Sequence, residues 1–320
     1  MYATKFKHKV VQDLVWVMES PVFLNPEYIP TLEQGLPVIM DNEFCSKLLN
    51  SSRQWLAALD TDPEPLKRFL NNNTSKFLGP YFELLVEYWI KERINPQFFK
   101  SHIQVFNNNR TFGEYDFLFS SANDNKLVHL EVAVKFYLYY QTIDGEVRFI
   151  GPNANDSLDI KLNHLLNHQL KLSKSAPGQM AIHSMGFRNT VPTVLMKGYL
   201  FYPPEYSEQA DLPKYLSSTH LKGWWTSLKQ FCVPCHGSEN RWTILEKSQW
   251  LGPLLIHSDS MVILLDINEL KTLCLEHFKD NQRSLLVVEL EKKKLENWQE
   301  VARGFVVSDT WPELKIRGKR

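Results

Sequence analysis

One stretch constrains this chain more than any other: between Leu127 and Tyr140 the side chains alternate with period two. Val128, Leu130, Val132, Val134, Phe136 and Leu138 fall on one face, and His129, Glu131, Ala133, Lys135, Tyr137 and Tyr139 on the other. Successive side chains of a strand point to opposite faces. The run therefore predicts a long strand with one face on a core and the other carrying both a carboxylate and an ammonium. Asp144-Gly145 suits a tight hairpin turn that returns the chain through a strand at Val147–Ile150.

The segments around this strand read as helices and strands in alternation. Phe44, Leu48, Leu49, Trp55 and Leu59 recur at near-helical spacing, and Asp60-Thr61-Asp62-Pro63 stops the run. A second helix spans Phe77–Ile90, with Pro80 in its first turn, where a missing N–H is harmless. Its apolar residues fall on adjoining stripes, which makes Glu83 and Glu87 conspicuous in a largely buried element. A short strand is expected over Tyr115–Phe119, a helix over Ser157–Leu172 and a strand over Thr193–Tyr202. Further on come a helix near Trp224–Phe231, a strand at Met261–Leu265, a helix at Asn268–Phe278 and a strand at Ser284–Leu290. Such alternation predicts an α/β fold. It divides into a helical N-terminal flank (1–74), an α/β core (75–203) and a C-terminal α/β extension (204–320).

Charge excludes one class of partner and leaves another open. The 36 basic residues balance the 36 acidic ones, so no global field draws the chain to a polyanion, and any nucleic acid must meet a local patch. Short basic runs at Lys292–Lys294 and Lys315–Arg320 read as solvated faces. The N-terminal apolar stretch from Val10 to Met18 is broken by Gln12 and Asp13 and reads as an amphipathic helix. No segment has the roughly 18 uninterrupted apolar residues of a membrane span, and four cysteines in a chain of this length suit reduced thiols. The expectation is a cytoplasmic protein without membrane contact.

Three carboxylates stand out as candidates for metal chemistry: Glu83 in the buried helix, Asp116 in the short strand and Glu131 in the long one, with Lys135 on the same face. Phosphodiester hydrolysis by Mg²⁺ or Mn²⁺ needs hard oxygen ligands converging from separate elements. The pieces LGPYFELLVEYW, GEYDFLF and HLEVAVKFYL, in that order, resemble the PD-(D/E)xK nuclease superfamily. The resemblance implies a restriction-endonuclease-like mixed sheet flanked by helices and a Mg²⁺-dependent nuclease acting on DNA or RNA. By the same resemblance, Glu83 supports the site, Asp116 and Glu131 hold the metal, and Lys135 positions water or stabilises charge. Lys161, His164 and Gln169, on the following helix, are second-rank candidates. The whole chain also resembles an uncharacterised proteobacterial family of similar length.

The pattern departs from that superfamily at one place. Its lysine lies two residues after the glutamate, about 6.6 Å along a strand, whereas Lys135 lies four residues on, about 13 Å away, and Ala133 holds the expected position. The alternative reading is a nuclease-like fold without hydrolysis that binds nucleic acid or protein.

Two cysteine motifs compete for attention. Cys232-Val233-Pro234-Cys235-His236 matches a haem-attachment pattern, a chemistry of compartments outside the cytoplasm. Cys232 and Cys235 with Cys274 and His277 would supply four ligands of a tetrahedral zinc site. The preferred reading of the second pair puts Cys274 in a core and His277 at the surface.

Overall fold

The computed structural model describes residues 2–28, 38–71, 77–120, 127–206, 212–233, 239–256, 262–293 and 297–312. In chain order its principal elements begin with α1 (Lys9–Glu19), β1 (Val38–Ile39), α2 (Asn42–Ser51), α3 (Arg53–Thr61), α4 (Glu64–Asn71) and α5 (Leu78–Trp89). Then come β2 (Phe99–Asn107), β3 (Arg110–Ser120), β4 (Leu127–Gln141), β5 (Val147–Ile150), α6 (Leu158–His164), α7 (Ala176–Ser184) and β6 (Thr190–Tyr202). The last are β7 (Leu221–Ser227), α8 (Leu228–Phe231), β8 (Arg241–Leu245), β9 (Leu255–Ile256), α9 (Ile267–Asp280), β10 (Leu285–Lys292) and β11 (Trp298–Val307). The fold is mixed α/β, with a large mixed sheet flanked by helices. No helix among the described residues is long and apolar enough to cross a membrane.

The chain forms two compact units. The first comprises Met1–Lys135, Lys161–Gly198 and Leu212–His220, and the second Phe136–Ile160, Tyr199–Asp211 and Leu221–Arg320. Strands β4 and β6 run through both, so each unit has its own stretch of the same two strands.

In the first unit, β2, β3 and β4 form an antiparallel meander, with β6 next to β4 and β1 parallel to β6. The β2–β3 turn is Asn108-Asn109, both at positive φ, as a two-residue hairpin with the sheet's twist requires. Gly198 in β6 has φ +146°, and a Cβ there would lie 1.8 Å from the carbonyl oxygen of Lys135, so only glycine lets β6 pass so close to β4. Helix α1 is buried on nearly every side rather than on one stripe. Asp13 pairs with Lys9 and accepts from the Tyr81 hydroxyl at 3.0 Å, and Trp89 donates to the Leu14 carbonyl at 2.7 Å. Glu87 of α5, conspicuous in the sequence, is buried and paired with Lys91.

In the second unit the end of β4 pairs with β5 and the end of β6 with β7. Strand β7 runs parallel to β11, which is antiparallel to β10, which is antiparallel to β8. Helix α9 packs Leu270, Cys274 and Phe278 with Val287 and Val306. Trp224 and Trp225, expected in a helix, lie in β7 opposite Gly304 and Phe305, and the helix is confined to α8. The cause is tertiary: β11, a strand the sequence does not advertise, places Gly304 under the Trp224 ring, where a Cβ would come within 2.1 Å. The strand expected at Met261–Leu265 reduces, within the described residues, to a bridge between Leu265 and Trp242.

Candidate active site

The β2–β3–β4 ladder opens where Asp116 lies. Between β2 and β3 the register runs Ser101 with Phe117 and Ile103 with Tyr115, skipping the pair His102 with Asp116. His102 sits at φ +51°, outside the strand region that an imidazole-bearing residue ordinarily takes. Between β3 and β4 the ladder stops at Phe117 with Leu130, one step before Asp116 would face Glu131. The Asp116 carboxylate fills part of the gap by accepting the Val132 N–H at 2.9 Å. Cross-strand neighbours share a face, so the two acids are brought together by register.

Glu131 is wholly buried and hydrogen-bonded on both oxygens. Its Oε1 lies 2.7 Å from His129 Nε2, and its Oε2 accepts from Gln169 Nε2 at 2.7 Å. Burial pushes His129 down to about 3, so the ring is neutral and donates its Nε2–H to Glu131. Among the described residues its Nδ1 then has no partner, and its ring stands edge-on to Tyr115 at 4.6 Å, whose hydroxyl also lacks one. Both faces of β4 are thus covered here, where a polar outer face was expected.

Gln169 reaches Glu131 because the helix widens. After α6 the segment Leu165–Gln169 is a π-helical turn, closed by the Leu170 N–H to the Leu165 carbonyl at 2.9 Å, in place of the continuous helix expected to Leu172. Such bulges rotate the residues that follow and recur at functional sites. Gln169 Oε1 in turn lies 3.4 Å from His164 Nδ1, and the His164 and His168 rings stack with centroids 5.3 Å apart.

Asp116 and Glu131 both have raised pKa values. For each the first cause is burial, and the charge of one raises the other at Asp116, while hydrogen bonds with Asp116 partly offset the rise at Glu131. Two buried carboxyls that act on each other in this way resist ionising together. Glu83, half-buried on α5, is raised by burial, then lowered by His102, raised by Glu114 and lowered by Lys135. Its charge acts on both members of the pair. Lys135 is thus within electrostatic reach of Glu83, while Lys161 is exposed and does not line the cavity. Glu114 pairs with His102 at 3.3 Å.

A cavity of about 530 Å³ opens onto Asp116, bordered by Phe112, Glu114, His164, His168 and Lys171. Among the described residues no three His, Cys, Asp or Glu side chains close on a common point as a complete metal cage. What the site offers is one intimate acid pair, a third acid within electrostatic reach and an open side. His102, His129 and Glu114 are the members that sequence reasoning passed over. His129 could have been found, because it alternates onto the Glu131 face, whereas His102 needed the ladder break to be seen.

Of the cysteine candidates, Cys232 and Cys274 lie within electrostatic reach of each other. Cys274 is buried in the α9 core, its thiol pushed up to about 12 first by burial and then by Cys232 nearby. His277 is half-buried and turns Nε2 to the Arg283 carbonyl at 2.8 Å. Cys235 lies outside the described residues, as do Lys294, Met261 and the basic stretch Lys315–Arg320.

Fold and site together define a mixed α/β protein with a buried acid pair, one member of which, Asp116, borders an open cavity. The chain belongs to the family described as "Domain of unknown function (DUF1853)", matched over residues 12–307, nearly its whole length. No curated protein and no solved structure matches it.

Proposed function

We propose that this protein is a metal-dependent phosphodiesterase of nuclease type, cutting DNA or RNA at the Asp116–Glu131 pair. The observation that carries the reading is the burial of two like carboxyls at the break in the β2–β3–β4 ladder. Packing gains nothing from such a pair, which destabilises the fold unless protonated or neutralised by a cation. Mg²⁺ is held by one or two carboxylates, with water and substrate phosphate completing its shell, so the pair needs no third protein ligand. When bound, Mg²⁺ or Mn²⁺ supplies positive charge to the phosphoryl oxygens and an acidified water.

The chain's own residues divide the remaining work. Asp116 and Glu131 hold the cation. His129 and Gln169 fix the Glu131 oxygens, much as outer hydrogen bonds orient ligands elsewhere. Glu83 adds negative charge from α5, and Lys135 stands near it as the cation able to stabilise an anionic transition state. The element order also supports the nuclease-like, restriction-endonuclease-like reading: Glu83 from the leading helix, Asp116 and Glu131 from adjacent antiparallel strands, then a helix and a further strand beside β4. Incubating full-length protein with labelled DNA and RNA in Mg²⁺ or Mn²⁺ tests this. Cleavage that stops in EDTA and in Asp116→Asn and Glu131→Gln supports it, and cleavage persisting in both variants overturns it.

Ala133, two residues after Glu131, favours the second reading, a binding module that has lost hydrolysis. That reading predicts nucleic-acid or protein binding with no cation uptake at the pair.

A further inference from the structure

The β2–β3 hairpin carries two rings that the packing of the protein does not use. Phe106 is 55% and Phe112 50% exposed. Both sit at a ladder irregularity: the register shifts between Val105 and Phe106, and Phe112 has no cross-strand partner between Thr111 and Gly113. A bulge of this kind re-aims a side chain. Phe112 shares the acid cavity with Asp116, and it also borders a second groove of about 470 Å³ formed with Asn107, Asn108 and Arg110. Phe112, Glu114 and Asp116 alternate along β3, which puts the ring about 13 Å from the acid at ~3.3 Å per residue.

We propose that this hairpin tip is the docking site for an unpaired nucleic-acid strand. Bases stack on Phe112 and Phe106, the Arg110 guanidinium and the side-chain amides of Asn107 and Asn108 meet the backbone, and a neighbouring phosphodiester is laid at Asp116. The inference rests on reading the acid pair as the place where a phosphodiester is bound. Unpaired bases offer free π-faces, and stacking on aromatic rings is tolerant of sequence. A duplex presents its bases already stacked, and affinity for it comes largely from phosphate neutralisation by Lys and Arg. This chain has zero net charge and a single guanidinium at the groove, which suits the first substrate and not the second. The rings are separated by polar residues rather than merged into an apolar patch, so the surface is unlike the core of a protein–protein interface.

The experiment is fluorescence anisotropy of the full-length protein in EDTA. Its probes are labelled single-stranded DNA and RNA of about 16 nucleotides, the matching duplex, and a single strand with abasic positions. The expected result is single-strand binding at least tenfold tighter than duplex binding, weakened about tenfold by Phe112→Ala and by Phe106→Ala, and retained by Phe112→Trp. The abasic strand should bind wild type as weakly as the intact strand binds Phe112→Ala. Equal or tighter duplex binding, undiminished abasic binding, unaffected alanine variants, or a sedimentation shift from dimer to monomer in those variants would each overturn the proposal. Single-strand binding without cleavage in Mg²⁺ or Mn²⁺ would end the hydrolytic reading and leave this one standing. Asp116-dependent cutting of duplex that ignores both rings would do the reverse.

Discussion

The two units bury charge in opposite ways. In the second, Arg303 is 3% exposed yet fully engaged: it donates to the carbonyls of Trp250 and Gly252, pairs with Glu300 through both nitrogen ends of its fork, and lies over the Tyr199 ring at 4.5 Å. In the first, Asp116 and Glu131 set like charge against like, next to an imidazole nitrogen and a phenol hydroxyl that have no partner among the described residues. A buried charge with every partner supplied is architecture. A buried pair of like charges that borders a cavity through Asp116 is a candidate site.

The largest effect expected from this contrast is on the architectural side. Arg303→Met strips the Trp250, Leu251 and Gly252 carbonyls and Glu300 of their donor and should lower unfolding stability by about 3–5 kcal/mol, read from urea melts. If it leaves stability unchanged, Arg303 does not anchor the second unit. Next comes activity: Asp116→Asn should reduce metal-dependent cleavage at least a hundredfold, about 2.7 kcal/mol, while folding normally. A variant that is as unstable as Arg303→Met would erase the distinction between the two buried charges.

The third prediction concerns pH. Asp116 and Glu131 have folded pKa values above their unfolded ones, so the native state holds more protons between an ordinary carboxylate pKa near ~4 and the raised values. Stability is therefore fully favoured at the acid end of that window and falls as pH rises through it. In EDTA the melting temperature should drop from pH 5 to pH 8, Asp116→Asn should flatten the drop, and Mg²⁺ should restore more stability at pH 8 than at pH 5. A melting temperature that rises over this interval in wild type but not in the variant contradicts the assigned sign. The smallest effect is expected at Gln169→Leu, which removes one hydrogen bond to Glu131 and should weaken cation affinity about tenfold with little change in melting.

How far the site could be read in advance follows the same physics. Strict alternation made β4 and its Glu131 legible, because period two has no helical counterpart, and the aromatic-rich pattern of α5 made Glu83 conspicuous. Strand β2 is equally legible in its alternation of Phe99, Ser101, Ile103 and Val105 with Lys100, His102 and Gln104, yet a polar half-face let it pass as loop. The break at His102 was not legible, since a positive φ in a strand leaves no mark on residue type. Nor was the π-helical turn: a spacing of 3.6 carries Gln169 past Glu131, and only the widened turn brings it back. Strand β11 hides because Arg303 interrupts its apolar run, and the partners that satisfy it, the Trp250 and Gly252 carbonyls, are about fifty residues away in sequence.

The central claim is that Asp116 and Glu131 share a proton that a divalent cation displaces. Titrating Mn²⁺ into full-length protein by calorimetry at neutral pH, in two buffers of different ionisation heat, counts the protons released on binding. The account predicts about one proton per cation in wild type and neither binding nor release in Asp116→Asn and Glu131→Gln. Cation binding with no proton released, or binding that survives both substitutions, would contradict it.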